Sequence, residues 1–228
     1  MADNNVTVWT MRVGTPSAAA LQRWHAVLDP REQAQAARFH ADRDRHTYIA
    51  AHALTRALLA DVGSRPPADW HITETENGKP EVAEGDVHFN LSHTAGFVAC
   101  AASLHSPLGI DTEARDRKQK QDNLAETILA PSEHAFLQSL PEEKRAEYFL
   151  RFWTLREAYV KATGQGISFP REDFAFMLDP PAIQFHGGGA ENWQFFTWDE
   201  DRHIVSLALN SARAASLVKR QLTESALP

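Results

Sequence analysis

Val87-His88-Phe89-Asn90-Leu91-Ser92-His93-Thr94, then Phe97-Val98-Ala99-Cys100-Ala101, then Leu108-Gly109-Ile110-Asp111-Thr112-Glu113, are three runs rich in strand-forming residues. Thr94-Ala95-Gly96 and Ser106-Pro107 part them, so residues 87–113 read as three adjacent strands. Working outward, residues 29–61 are helical in pattern, with Pro30 suited to a first helical position and Gly63 as the expected stop. Two further helices are expected over 124–140 and 142–163, with Gly164 just past the second. A strand at 6–13 opens the chain, and 70–75 runs as a strand into the Asn77-Gly78 turn. Four strands are expected near 174–177, 182–185, 193–198 and 203–209, with Gly187-Gly188-Gly189 as a turn, followed by a loose tail after Ala214. The class is α+β, without a fixed-period repeat, and Ser106-Pro107 is the natural midpoint.

The 228 residues are 43% hydrophobic, enough for one or two compact cores. A formal charge of -7 argues against a dedicated nucleic-acid binder, because releasing counterions from phosphate requires a basic face. The single Cys100 closes no intrachain disulfide and builds no thiolate cluster, so a reducing, cytoplasmic setting is expected. Residues 1–5 lack the basic start of a secretion signal, and no apolar run approaches the ~20 residues that span a bilayer.

Four short motifs carry chemistry. Asp111 and Glu113 stand two apart on a strand, so their carboxylates share one face and repel unless something compensates them. A divalent cation held through oxygens would do so, as would plain exposure at a strand end. Trp153, Glu157 and Lys161 recur at four-residue steps and form one stripe on a helix that Phe149 and Phe152 mark as packed. An exposed Glu/Lys pair at this spacing is an ordinary helix stabiliser, whereas on a packed helix it borders a cleft. The Ser92 hydroxyl and a protonated His93 could donate to phosphate oxygens, or could merely cap a turn. The Asn90-Leu91-Ser92-His93-Thr94 stretch is not the G-x-S-x-G elbow of a serine hydrolase. Gly78-Lys79-Pro80 is a turn that presents a cation.

In order and spacing, Gly78-Lys79-Pro80, Phe89-Asn90-Leu91-Ser92-His93, Gly109-Ile110-Asp111-Thr112-Glu113 and Trp153-Thr154-Leu155-Arg156-Glu157-Ala158-Tyr159-Val160-Lys161 resemble the 4'-phosphopantetheinyl transferases of the surfactin-synthetase-activator type. That resemblance implies transfer of the 4'-phosphopantetheine arm of coenzyme A to a serine of an apo acyl or peptidyl carrier protein. It implies an α+β pseudo-dimer of two similar subdomains, 1–106 and 107–228, with the active site between them, working as a monomer without nucleic acid or membrane. The implied metal ligands for Mg²⁺, or Mn²⁺, are Asp111, Glu113 and Glu157. Lys79, Pro80, Ser92 and His93 would hold the nucleotide and its phosphates, and Lys161 would lie by the pyrophosphate. Arg38, Arg43 and Arg45 are the cations at hand for the 3'-phosphate, and Arg45 is the one assigned, although Glu32 and Gln35 fall where lysines are expected. Thr94 replaces a frequent second serine, Arg156 a frequent lysine, and Glu133 resembles an acidic position near the metal as well as a helix-start residue.

The chemistry also follows from charge. A diphosphate ester with a 3'-phosphate calls for a metal and several cationic donors, and a serine hydroxyl calls for a base, for which Glu157 is the candidate. A metal-dependent phosphohydrolase and a non-catalytic coenzyme A-binding protein are the alternatives. At -7 the chain does not attract an acidic carrier by net charge, so docking through an apolar patch with local arginines, for example over 124–140, is expected.

Overall fold

The computed structural model describes residues 4–83, 87–94, 96–116, 121–165, 173–185 and 191–227. Residues 1–3, Ala95 and the expected turn at 187–189 lie outside the described residues. The first half runs β1 (Asn5–Arg12), α1 (Ala18–Ala26), α2 (Pro30–Ala36), α3 (Asp42–Gly63), β2 (Ile72–Glu74), β3 (Pro80–Val82), β4 (His88–Thr94) and β5 (Phe97–Ser103). The second runs β6 (Leu108–Ala114), α4 (Gln121–Ile128), α5 (Pro131–Ser139), α6 (Glu142–Thr163), β7 (Phe174–Leu178), β8 (Pro181–Phe185), β9 (Trp193–Glu200) and β10 (His203–Asn210). Each half is therefore a strand, three helices and two hairpins in the same order. The three strands expected to be adjacent divide between the halves: β4 pairs with β5, but β6 pairs with β10.

The sheet orders repeat as well, β1-β5-β4 in one half and β6-β10-β9 in the other. Alternation along the strands splits their side chains between two cores. Trp9, Met11, Val98 and Cys100 pack with Leu54 and Leu58 of α3, while Ile204 and Ala208 pack with Leu155 and Ala158 of α6. The opposite faces carry Val6, Val8, Ala99, Ile110, Val205 and Leu207, which bury one sheet against the other. The layers are thus helix, sheet, sheet, helix. Phe97 and His203, at corresponding positions of β5 and β10, stack with centroids 4.1 Å apart.

Two further expectations are corrected. The tail after Ala214 is not loose: residues Ser216–Leu222 form β11, parallel to β1 from Asn5 opposite Ser216 to Met11 opposite Leu222. The C-terminal strand therefore returns to the first half's sheet. The helix expected over 124–140 is broken into α4 and α5, where Pro131 starts a new helix, while the helical stretch expected over 29–61 is present as two helices, α2 and α3. Gly63 closes α3 as expected, and the left-handed cap that follows is Ser64 at φ 54°.

Both halves also carry a buried ion pair in the same place. Asp29 caps α2, Glu32 bonds back to the Asp29 backbone N–H, and Arg56 of α3 donates to Glu32 Oε2 at 2.8 Å. In the second half Glu133 accepts from the Ala130 backbone N–H, and Arg156 of α6 donates to Glu133 Oε2 at 2.9 Å. Arg56 and Arg156 each stand 14 residues after the start of their helices.

Candidate active site

Gly109 sets the geometry. A Cβ on it would overlap the Ala158 carbonyl oxygen and the Ala162 backbone nitrogen, so glycine lets α6 lie directly on β6. Strand alternation then turns Gly109, Asp111 and Glu113 to the helix, and the stripe on α6 meets them. Trp153 Nε1 donates to Glu113 Oε1 at 3.2 Å, and two turns later Lys161 Nζ donates to Asp111 Oδ1 at 2.7 Å. Glu157, half-buried, stands on the turn between them.

The first half reaches this cluster through β4. Ser92 Oγ donates to Asp111 Oδ1 at 2.8 Å and accepts from Lys161 Nζ at 3.0 Å. Lys161 also reaches the Ile110 carbonyl at 3.3 Å, while the Ile110 N–H donates to Asn90 Oδ1 at 2.9 Å. Side chains of the site thus satisfy the backbone of β6 along the edge that β10 leaves open. In the first half the matching edge of β1 is taken by β11.

A neutral hydroxyl, Ser92, and a positive ammonium, Lys161, both donate to one oxygen of Asp111 and leave the other bare. Asp111 Oδ2 is buried without a hydrogen-bond partner. Such an atom costs about 1–3 kcal/mol, and more when charged, so a carboxylate oxygen left this way is suited to a ligand that would complete it. Among the described residues no three His, Cys, Asp or Glu side chains are gathered closely enough to hold an ion unaided. Two neighbouring carboxylates with an orphaned oxygen fit a hard cation that takes its remaining oxygens from water and substrate phosphate.

Ser92 and His93 do not act from one face. Ser92 and Asn90 point to β6, whereas Phe89 and Leu91 join the core under α3, and His93 follows that side. His93 is exposed at its edge but closely surrounded. Desolvation first, then the charge interactions with His52 and Lys161, hold its pKa below the usual histidine range, with Asp44 opposing. The shift favours the neutral ring in the free protein. Below about pH 6.5 the unfolded chain takes up this proton before the folded one, so stability falls as pH drops from 7 to 5.5. His93→Gln is expected to flatten that decline in thermal midpoint, and an unchanged slope would count against the shift.

Lys79 is likewise committed. Its Nζ donates to the Ala162 carbonyl at 2.8 Å while Asn77 Nδ2 donates to the Gly164 carbonyl at 2.9 Å, which fastens the β2–β3 turn to the C-terminus of α6. Desolvation lowers the Lys79 pKa, and Glu81 partly offsets this. Pro80 opens onto a recess of ≈ 450 Å³ that Arg31, Arg38, Tyr48, His52 and Glu74 also line. Arg45 is not part of it: it pairs with Asp42 at 2.7 Å and faces a separate recess with Leu21, His25 and Ile49. Arg43 lies beside Gly96.

Comparisons with known proteins identify the family. The family described as "4'-phosphopantetheinyl transferase superfamily" matches residues 107–208, and "4'-phosphopantetheinyl transferase, N-terminal" matches 13–105. The 4'-phosphopantetheinyl transferase HetI of Nostoc sp. is 32% identical over 184 residues, covering 79% of this chain and 77% of that protein. The chain belongs to the 4'-phosphopantetheinyl transferases. The Sfp transferase of Bacillus subtilis is 27% identical and covers 69% of each chain. A holo-(acyl-carrier-protein) synthase of Bacillus anthracis, solved in complex with CoA (3',5'-ADP), is 21% identical with a TM-score of 0.41, over 47% of this chain and 96% of that one.

In this transferase Glu32 is no phosphate ligand. It is 8% exposed and engages Arg56 and His52. Burial alone would raise its pKa, but His52, Arg56 and the Asp29 N–H hold it below the usual carboxylate range. Glu133 is equally structural: 1% exposed, it accepts from Ala130, Phe176 and Arg156, so the helix-start reading applies and the metal-proximal one does not. Arg156 also donates to the Phe174 carbonyl at 3.0 Å and lies over that ring, in the core of the second half. Sequence reasoning missed Arg31, Tyr48 and His52 as recess residues. The Asp29-Pro30-Arg31-Glu32 capping box was the signal that fixes their register.

Proposed function

We propose that this transferase uses Asp111, Glu113 and Glu157 to hold a Mg²⁺ or Mn²⁺ ion against the diphosphate of coenzyme A. The bare, buried Asp111 Oδ2 is the observation that supports this reading most strongly. The nucleotide end would enter the recess beside Pro80, where Arg31, Arg38 and the Tyr48–His52 face would meet the 3'-phosphate. Two of the carboxylates lining that recess, Asp29 and Glu32, are already paired with Arg56, which offsets part of their charge.

The carrier serine oxygen bonds to the phosphorus that bears pantetheine, and the bond from that phosphorus to the bridging oxygen breaks. Adenosine 3',5'-bisphosphate leaves with the bridging oxygen. The serine proton passes to Glu157, directly or through water. Lys161 balances the charge gathering on the departing bisphosphate, and Ser92 keeps Asp111 oriented. When bound, the ion supplies positive charge that polarises the diphosphate. Both sides of the seam come from one chain, so a monomer suffices, and the buried lone Cys100 suits a cytoplasmic setting. Among the described residues no helix is long and apolar enough to cross a membrane.

The test is incubation with coenzyme A, Mg²⁺ and a panel of apo acyl and peptidyl carriers, read by intact mass. The wild-type chain adds the phosphopantetheine mass to at least one carrier, and Asp111→Ala adds none. Bisphosphate release without any carrier would favour a phosphohydrolase instead. Coenzyme A retained in EDTA without transfer would favour a binding protein.

A further inference from the structure

We infer that Trp153 is a positioning residue that aims Glu113 at the ion. This rests on the metal reading above and extends it by one side chain. A glutamate at a strand end is free to rotate about three bonds, and one directional donor removes much of that freedom. The indole N–H is such a donor: it donates only, it does not titrate in the working pH range, and its ring is seated against Phe149 with centroids 6.3 Å apart.

Two comparisons within the molecule support a specific role. Burial of an indole does not by itself demand a polar partner in this chain, because Trp9, Trp24 and Trp70 each bury Nε1 without one. The duplicated half provides the second. Aligning the strands through Phe97 and His203, which face Arg12 and Ala114, sets Met11 against Glu113 and Trp9 against Asp111. Aligning α3 with α6 from their first residues sets Ala53 against Trp153 and Ala57 against Glu157. The half that lacks the carboxylates lacks the indole as well.

Trp198 supplies a matched control, since its Nε1 donates to Glu200 Oε2 at 3.0 Å on β9. Mn²⁺ affinity of the coenzyme A-loaded protein is measured by electron paramagnetic resonance for wild type, Trp153→Phe and Trp198→Phe. Trp153→Phe is expected to weaken Mn²⁺ binding and raise the half-saturating Mg²⁺ concentration by about tenfold, with transfer at saturating Mg²⁺ within about threefold of wild type. Trp198→Phe should leave ion affinity unchanged. Equal affinities in the two variants overturn the inference while the metal reading stands, and a wild-type chain that binds no Mn²⁺ overturns both. A measurement on the unaltered protein guards against misfolding: added Mg²⁺ should shift the Trp153 indole N–H resonance and not that of Trp198. A Trp153 signal that stays still also overturns it.

Discussion

Gly109→Ala is expected to cost about 3 kcal/mol of stability, lower the thermal midpoint by roughly 6–12 °C, and reduce transfer on the order of a hundredfold. The atoms that the new methyl would overlap are backbone atoms of α6 at Ala158 and Ala162, with the Ala162 Cα at 3.0 Å, so no side-chain rotation relieves the contact. The helix must lift from β6. That movement separates Lys161 from Asp111 and Trp153 from Glu113 together, because both contacts belong to one rigid stripe. Gly14→Ala is the control, as a Cβ there meets nothing within 4 Å. Melting curves and intact-mass transfer rates test the pair, and a Gly109→Ala protein as stable and active as Gly14→Ala would refute the close packing of α6 on β6.

Arg156→Met should produce the largest loss of stability among the charged residues, about 3–5 kcal/mol, because it strands the Glu133 carboxylate in the core. Burial pushes the Glu133 pKa up, and the charge of Arg156, with the Phe176 and Ala130 N–H groups, opposes that push. Adding Glu133→Gln to Arg156→Met removes the stranded charge but keeps an acceptor for only one of the two N–H groups, because the Ala130 and Phe176 N–H groups donate to different oxygens, so the double variant should recover part of the loss. Transfer by Arg156→Met at a temperature where it stays folded should lie within a fewfold of wild type, since its guanidinium is turned toward Glu133 and Phe174. A large fall in transfer by a fully folded variant would instead make Arg156 a phosphate ligand.

The legible and illegible parts of the chain differ for physical reasons. Residues 97–103 and 108–114 read as near-continuous runs of strand-forming residues because both faces of their sheets are covered, and the four-residue stripe of Trp153, Glu157 and Lys161 survives because it lies on a packed helix. β11 escaped notice because Ser216, Val218, Lys219, Arg220 and Gln221 are exposed and its pairing partner lies some two hundred residues earlier. Pairing between strands is non-local, so the shift of β6 from β5 to β10 was equally hidden. The register of the early arginines was not legible across the break at 37–41: Arg38 lines the recess beside Pro80, whereas Arg45 of α3 lines a separate one. Internal duplication has faded from the residues themselves, with Trp9, Met11 and Ala57 now standing where Asp111, Glu113 and Glu157 stand in the second half. It persists in the buried pairs Glu32–Arg56 and Glu133–Arg156.

Crystals grown with coenzyme A and Mn²⁺ test the shared ion most directly, through the anomalous signal of the metal. The account predicts one strong peak within about 2.5 Å of carboxylate oxygens from Asp111, Glu113 and Glu157, with diphosphate oxygens completing the shell. A peak that Glu157 does not reach, or a diphosphate bound away from the Asp111 carboxylate, would contradict it.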